Sequence, residues 1–150
     1  YAPKDIDKVN KEAADFLWAS ANGRNNELNL CVYTYPYTSE STFTLDYFTH
    51  KRDSVVKENV QGEKEGQYMV TERYAISEKH KNGKDGYIYE VRGLWEMEND
   101  MMGGPFISYS QVDTEKNLVV VVEGFVYAPK KDKRELIREM EASLMTLKLK

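Results

Sequence analysis

Cysteine is almost absent from the sequence, and its scarcity excludes two kinds of cross-link. Cys31 is the only cysteine among 150 residues, so the chain can form neither an intrachain disulfide nor a cysteine-rich metal site. The surrounding run LNLCVYTY is typical of a strand, where a single cysteine acts as a small hydrophobic side chain. His50 and His80 have no companion at ligand spacing, so no metal is predicted.

The sequence also lacks a long apolar run and an excess of positive charge. Its longest apolar stretch, LVVVV at 118–122, has the length of a strand, whereas a membrane-spanning helix needs about 18 residues. The net charge is -4, from 25 acidic and 21 basic residues, so nothing favours nucleic acid or an anionic membrane surface. We expect a single soluble domain over residues 1–150. Because the chain starts at Tyr1 and shows no signal peptide, we expect a piece of a longer protein.

Apolar periodicity predicts an α+β fold. A largely antiparallel sheet of about six strands, with helices packed on it, follows from the element order ββαββββα. Strands are predicted at 16–20, 27–35, 67–77, 86–97, 106–112 and 117–128, and a helix at 41–60 with Ser41, Thr42 and Thr44 as candidate N-caps. A closing helix presents Leu136, Met140 and Leu144 at helical spacing. Residues 9–14 are either a short helix or part of an extended arm.

One predicted strand, 117–128, is apolar on both faces. A strand of this kind is central, with layers above and below it. Glu123 interrupts it, and Arg92 stands in another strand that is otherwise apolar on one face. A charge in such a place must find a partner or change its protonation. We consider two interpretations of Arg92 and Glu123: a structural ion pair, or polar anchors in a pocket. Arg52 and Asp53, at the middle of the first helix, predict a docking contact onto the sheet or onto a neighbouring domain.

Residues 92–106, RGLWEMENDMMGGPF, lead from one predicted strand into the next. The paired glycines do not predict a phosphate loop, because a proline and a strand follow them instead of a helix N-terminus. A tight turn or bulge, in which Gly103 or Gly104 takes a positive φ, is predicted instead. Three acids in this stretch, Glu96, Glu98 and Asp100, lack the ligand spacing of a calcium loop, so a solvated acidic edge is expected.

Several strings resemble, in order, the domain-of-unknown-function family 4837, a group of Bacteroidetes lipoproteins. They are YTYPYTSESTFTLDYFTHKRDSV, GQYMVTE, VRGLWEMENDMMGGPFISYS and VVEGFVYAPKKDKRELIREMEASL. The resemblance runs from about Phe16 to the end and implies the C-terminal half of the family domain. It therefore implies a cell-envelope location, with membrane contact only through a lipid anchor that lies outside this chain. The strand order also resembles the PsbP-like sandwich, which is an analogy of fold alone.

The resemblance brings no activity, substrate or catalytic residue, but it marks family-motif positions. The polar and apolar ones are Arg52, Asp53, Arg92, Leu94, Trp95, Met102, Phe106, Glu123 and Tyr127. Those expected to serve backbone geometry are Gly93, Gly103, Gly104, Pro105 and Gly124.

Three functions are compatible with these observations. The first is a non-catalytic envelope module that binds a protein or an envelope polymer, for which eleven tyrosines and two tryptophans supply contact surface. The second is a small-ligand binder with a pocket near Arg92, Trp95 and Glu123. The third is a hydrolase or transferase whose acid pair includes Glu123. No catalytic residue or cofactor is predicted, because neither a G-x-S-x-G elbow nor a third partner for Cys31 and a histidine is present.

Overall fold

The computed structural model describes residues 6–21, 28–83, 86–127 and 134–145. The described strands are β1 (Ile6–Ala13), β2 (Phe16–Ala21), β3 (Leu28–Pro36), β4 (Met69–Gly83), β5 (Gly86–Met97), β6 (Gly103–Asp113) and β7 (Leu118–Val126). The helices are α1 (Leu45–Asn59), α2 (Arg134–Met145) and a short 3-10 helix, Glu40–Phe43, before α1. Residues 27 and 128, the predicted ends of two strands, lie outside these ranges. No helix within the ranges is long and apolar enough to cross a membrane.

The seven strands form one antiparallel sheet in the order β1-β2-β3-β7-β6-β5-β4. The predicted α+β class and element order are confirmed, with one strand more than the six expected. The additional strand is β1, so the short helix considered for residues 9–14 is wrong. Its sequence IDKVNKEA carries little apolar alternation, and pairing with β2 across a tight turn decides its conformation instead.

Strand β7 lies in the middle of the sheet, between β3 and β6. Val119, Val121 and Phe125 face a core that α1 covers, whereas Val126 faces a second core under α2. The apolar character of both faces therefore predicts the central position correctly. Each fully buried valine or phenylalanine side chain stabilises the fold by about 1.5–3 kcal/mol.

Both helices pack as their sequences predict. Thr44 caps α1, and its hydroxyl accepts a hydrogen bond from the N–H of Tyr47 at 3.4 Å, while Ser41 and Thr42 belong to the preceding 3-10 helix. Helix α2 buries Leu136, Met140 and Leu144 against the sheet. Ends capped by a hydroxyl and stripes at helical spacing are local signals, so they are visible in the sequence.

The paired glycines do not form the predicted turn. Residues 98–101 form it, and Asn99 there has φ 58, whereas Gly103 and Gly104 lie in β6 without a positive φ. That prediction is therefore wrong, and close packing is the physical reason for these glycines. A Cβ on Gly104 would lie 2.0 Å from the carbonyl oxygen of Val126, and one on Gly103 would lie 2.9 Å from that of Trp95.

Candidate functional site

Arg52 of α1 and Glu123 of β7 form a buried ion pair between helix and sheet. Both side chains are 0% exposed, and the Arg52 Nε lies 3.0 Å from each Glu123 carboxylate oxygen, with Nη2 2.7 Å from Oε1. The guanidinium also donates to the Thr71 hydroxyl at 2.8 Å and stacks 4.0 Å above the Phe106 ring. The hydroxyl of Tyr33 donates to Glu123 at 3.4 Å. Burial alone would lower the pKa of Arg52, but the Glu123 carboxylate outweighs it and the pKa is raised.

Asp53, the next residue of α1, fixes the helix to the edge strand β4. Its carboxylate accepts from the backbone N–H of Thr71 at 2.8 Å and from the hydroxyl of the same residue at 2.6 Å. Arg73 adds a more exposed ion pair at 3.1 Å. The predicted docking contact of Arg52 and Asp53 onto the sheet is therefore confirmed.

Arg92 lies on the opposite face of the sheet, beneath α2. It donates to Glu90 at 3.0 Å and to Glu141 of α2. Trp95 lies three positions along the same strand and therefore points to the α1 face, where Glu123 also lies. The prediction of one pocket near Arg92, Trp95 and Glu123 is therefore wrong. Arg92 lies on one face of the sheet, whereas Trp95 and Glu123 lie on the other.

Glu90, with its ion-pair partners Arg92 and Lys81, makes a contribution to the free energy of unfolding that depends on pH. Burial alone would raise the pKa of Glu90, but hydrogen bonds from Arg92 and Lys81 outweigh it and hold the pKa below its ordinary value. A lowered carboxyl pKa stabilises the fold above the unfolded-state value of about 4.3, and this contribution disappears as the pH falls through the folded-state value. We expect Glu90→Gln to destabilise the protein at pH 7 and to differ progressively less from wild type below about pH 4.3.

Urea denaturation between pH 7 and pH 3 measures this difference. Glu115→Gln, at an exposed position in the β6–β7 turn, is the matched control and should follow wild type throughout. If the difference in free energy of unfolding between wild type and Glu90→Gln stays constant over the pH range, the charge of Glu90 does not cause it.

A cleft of about 660 Å³ opens on the α1 face at the end of the sheet where β5 leads into β6. Apolar side chains and polar ones, including amides and charged groups, line it in about equal measure. The lining residues are Trp18, Ser20, Asn29, Val60, Gln61, Gly62, Glu63, Lys64, Gln67, Met69, Trp95, Met97, Asp100, Met102, Phe125 and Tyr127. Of the residues predicted as ligand or partner contacts, the cleft includes Trp95 and Tyr127 but not Arg52, Asp53, Arg92 or Glu123.

The aromatic walls of the cleft are held in fixed orientations. The indole N–H of Trp95 donates to the carbonyl of Val126 at 3.1 Å, and that of Trp18 donates to the Asn29 side chain at 3.0 Å. The ring of Phe125 lies between the two indoles, with centroids 5.6 Å from Trp95 and 6.1 Å from Trp18. A ligand would therefore meet walls that lose little conformational freedom when it binds.

Two turns that are distant in sequence form one side of the rim. The side chain of Gln67 donates to the carbonyl of Asn99 at 3.2 Å, and the side chain of Asn99 donates to the carbonyl of Gly66 at 3.1 Å. The backbone N–H of Glu98 donates to the carbonyl of Tyr68 at 2.8 Å. These bonds fasten the turn before β4 to the turn between β5 and β6, so the rim is braced from both sides.

Sequence reasoning missed most of the cleft, including Trp18, Asn29 and Gln67. The one available signal was the count of two tryptophans, because a pair of large aromatic residues often lines a binding site.

Cys31 is not a nucleophile candidate, since burial, with the Glu123 carboxylate nearby, raises the pKa of its thiol well above the ordinary value. Among the residues that the structure describes, no group of three or more His, Cys, Asp or Glu could hold a metal ion.

Comparison with known proteins identifies a family. The family model described as "Domain of unknown function (DUF4837)" matches residues 1–146. The resemblance carried by the four strings from about Phe16 onward therefore extends back to Tyr1. No curated protein matches the chain.

Proposed function

We propose, from the premise that the chain belongs to the DUF4837 family, that it is a non-catalytic binding module of the cell envelope. The cleft is its binding site. The observation that carries this proposal is a cleft of about 660 Å³ lined by both tryptophans of the chain, with amide and charged side chains beside them. Ligand sites in proteins are typically concave, with volumes of roughly 300–1,000 Å³, aromatic side chains in the lining and polar groups that orient the ligand.

The burial of Glu123 argues against its use as a catalytic acid. An acid that serves a hydrolase must reach the substrate and exchange a proton with it. Both carboxylate oxygens of Glu123 accept hydrogen bonds from Arg52, and neither side chain is exposed. A substrate would have to displace α1 from the sheet to reach Glu123, and this argues against Glu123 as the acid of a hydrolase.

The envelope partner follows from the resemblance to lipoproteins. A module held near the envelope by a lipid anchor would meet envelope proteins and polymers at high local concentration. A small-ligand binder is the alternative function, and the same cleft would hold its ligand. The ligand would contact Trp95 and its neighbours in the cleft, and neither Arg92 nor Glu123. Its specific support is the volume of the cleft.

Photo-crosslinking tests the proposal directly. With benzoylphenylalanine in place of Gln61, at the exposed rim of the cleft, we expect capture of an envelope component. The same photo-crosslinker in place of Glu115, at the opposite end of β6, should capture none. Trp18→Ala in the Gln61-labelled protein is expected to reduce capture at least about fivefold, as expected for loss of an aromatic anchor.

Circular dichroism of each labelled protein verifies that the sheet has formed. Equal capture at both positions would mean that adhesion is non-specific and would contradict the proposal. Capture at Gln61 that Trp18→Ala leaves unchanged would contradict the role of the cleft.

A further inference from the structure

The floor of the cleft carries a row of three methionines. Met69 and Met97 are direct partners in the β4–β5 ladder, and the backbone N–H of Met97 donates to the carbonyl of Met102 at 2.9 Å. All three pack on the α1 side of the sheet and line the cleft. Met69 is almost fully buried, and its Sδ accepts a hydrogen bond from Arg52 Nη2 at 3.3 Å. The partly exposed Met102, with Met97 beside it, is therefore the methionine surface to which a flexible hydrocarbon group can adapt.

The rim adds a charge preference. On the two braced turns, two exposed carboxylates, Glu63 and Asp100, and one exposed lysine, Lys64, line the cleft; Glu65 and Glu98 are exposed on the same turns but outside the lining. Phospholipid headgroups bring negative phosphate to such a rim and are repelled, whereas a cationic group is attracted. Trp18 and Tyr127, which are partly exposed and line the cleft, also favour a cation where it can reach the face of a ring.

The floor and the rim together select one class of partner. Resting on the proposed function, we infer that the cleft binds a protein segment in which apolar side chains flank a lysine or arginine. The apolar side chains enter the methionine floor, and the cation lies against the carboxylates of Glu63 and Asp100. The volume of about 660 Å³ exceeds that of any single side chain, so neighbouring residues of the segment are held as well.

Tryptophan fluorescence is a specific probe for this inference, because both tryptophans of the chain line the cleft. The ligands are three acetylated and amidated pentapeptides, Gly-Leu-X-Leu-Gly, with X as Lys, Gln or Glu. They carry no aromatic residue, so every change in emission comes from the protein. We expect the Lys peptide to bind about threefold to fivefold more tightly than the Gln peptide and the Glu peptide to bind most weakly, as exposed charge pairs allow.

Two variants separate charge from packing. Glu63→Gln with Asp100→Asn should abolish the preference for Lys over Gln, whereas Glu115→Gln should preserve it. Added salt should weaken the binding of the Lys peptide more than that of the Gln peptide, because salt screens exposed charge pairs.

The outcomes distinguish the inference from the function on which it rests. Equal or tighter binding of the Gln or Glu peptide overturns the charge preference and leaves the binding module intact. Binding of a chito-oligosaccharide or of phosphatidylglycerol vesicles, with no response to any peptide, overturns the peptide partner alone. No change in emission with any peptide overturns the peptide partner, and if photo-crosslinking at Gln61 also captures nothing, both are overturned.

Discussion

Arg52→Met is expected to destabilise the protein by about 3–5 kcal/mol, because it leaves Glu123 charged, buried and without its main partner. The contact links α1 to the central strand, and neither side chain reaches water. Tyr33 still donates at 3.4 Å, but one long hydrogen bond does not replace a guanidinium that reaches both carboxylate oxygens. A typical domain is stable by only about 5–15 kcal/mol, so the midpoint of urea denaturation should shift strongly.

Two further variants keep this expectation testable if Arg52→Met fails to fold. Arg52→Met combined with Glu123→Leu removes both charges and should recover most of the stability, since apolar replacements of buried pairs are often neutral or stabilising. Arg73→Met breaks the more exposed ion pair with Asp53 and should cost less than about 1 kcal/mol. If Arg52→Met lowers the free energy of unfolding by no more than Arg73→Met does, the buried ion pair contributes no more to stability than a surface pair.

The sequence identified the two charges but not their pairing. Arg52 and Glu123 are 71 residues apart, and no local spacing connects a helix midpoint to one position of a distant strand. What the sequence supplied was the apolar character of both faces of β7, from which its central place and the cost of a charge there both follow. Which arginine pairs with Glu123 depends on which helix covers which face of the sheet, and that is a tertiary property.

The cleft lay beyond sequence reasoning for the same reason. Trp18 is on β2 and Trp95 on β5, and three other strands lie between these two in the sheet. Both indoles contact the ring of Phe125 on β7. Periodicity indicates which face a residue takes along its own strand, but it does not indicate which strands of the sheet become neighbours. Strand β1 was missed because pairing overrode a weak local pattern.

Gly104→Ala is expected to destabilise the protein by about 3 kcal/mol, at the upper end of what overpacking costs. Its new Cβ would lie 2.0 Å from the carbonyl oxygen of Val126 and 3.1 Å from the indole nitrogen of Trp95. That carbonyl accepts the hydrogen bond that orients Trp95, and it belongs to the last residue of β7, which pairs with Leu28 of β3, so backbone must shift to make room. The variant should therefore also change tryptophan emission and weaken binding in the cleft.

Gly124→Ala is the matched comparison, because its Cβ meets a side chain instead of backbone. It would lie 2.1 Å from the Met140 Sδ of α2, and methionine can change rotamer to make room. We expect a cost of about 1 kcal/mol and no change in emission, since α2 lies on the other face. In a double-mutant cycle, Gly124→Ala and Met140→Ala should be less costly together than the sum of the two, because both changes act on the same space. If Gly124→Ala proves the more damaging of the two glycine variants, the Gly-Gly-Pro-Phe stretch does not owe its glycines to the approach of Val126.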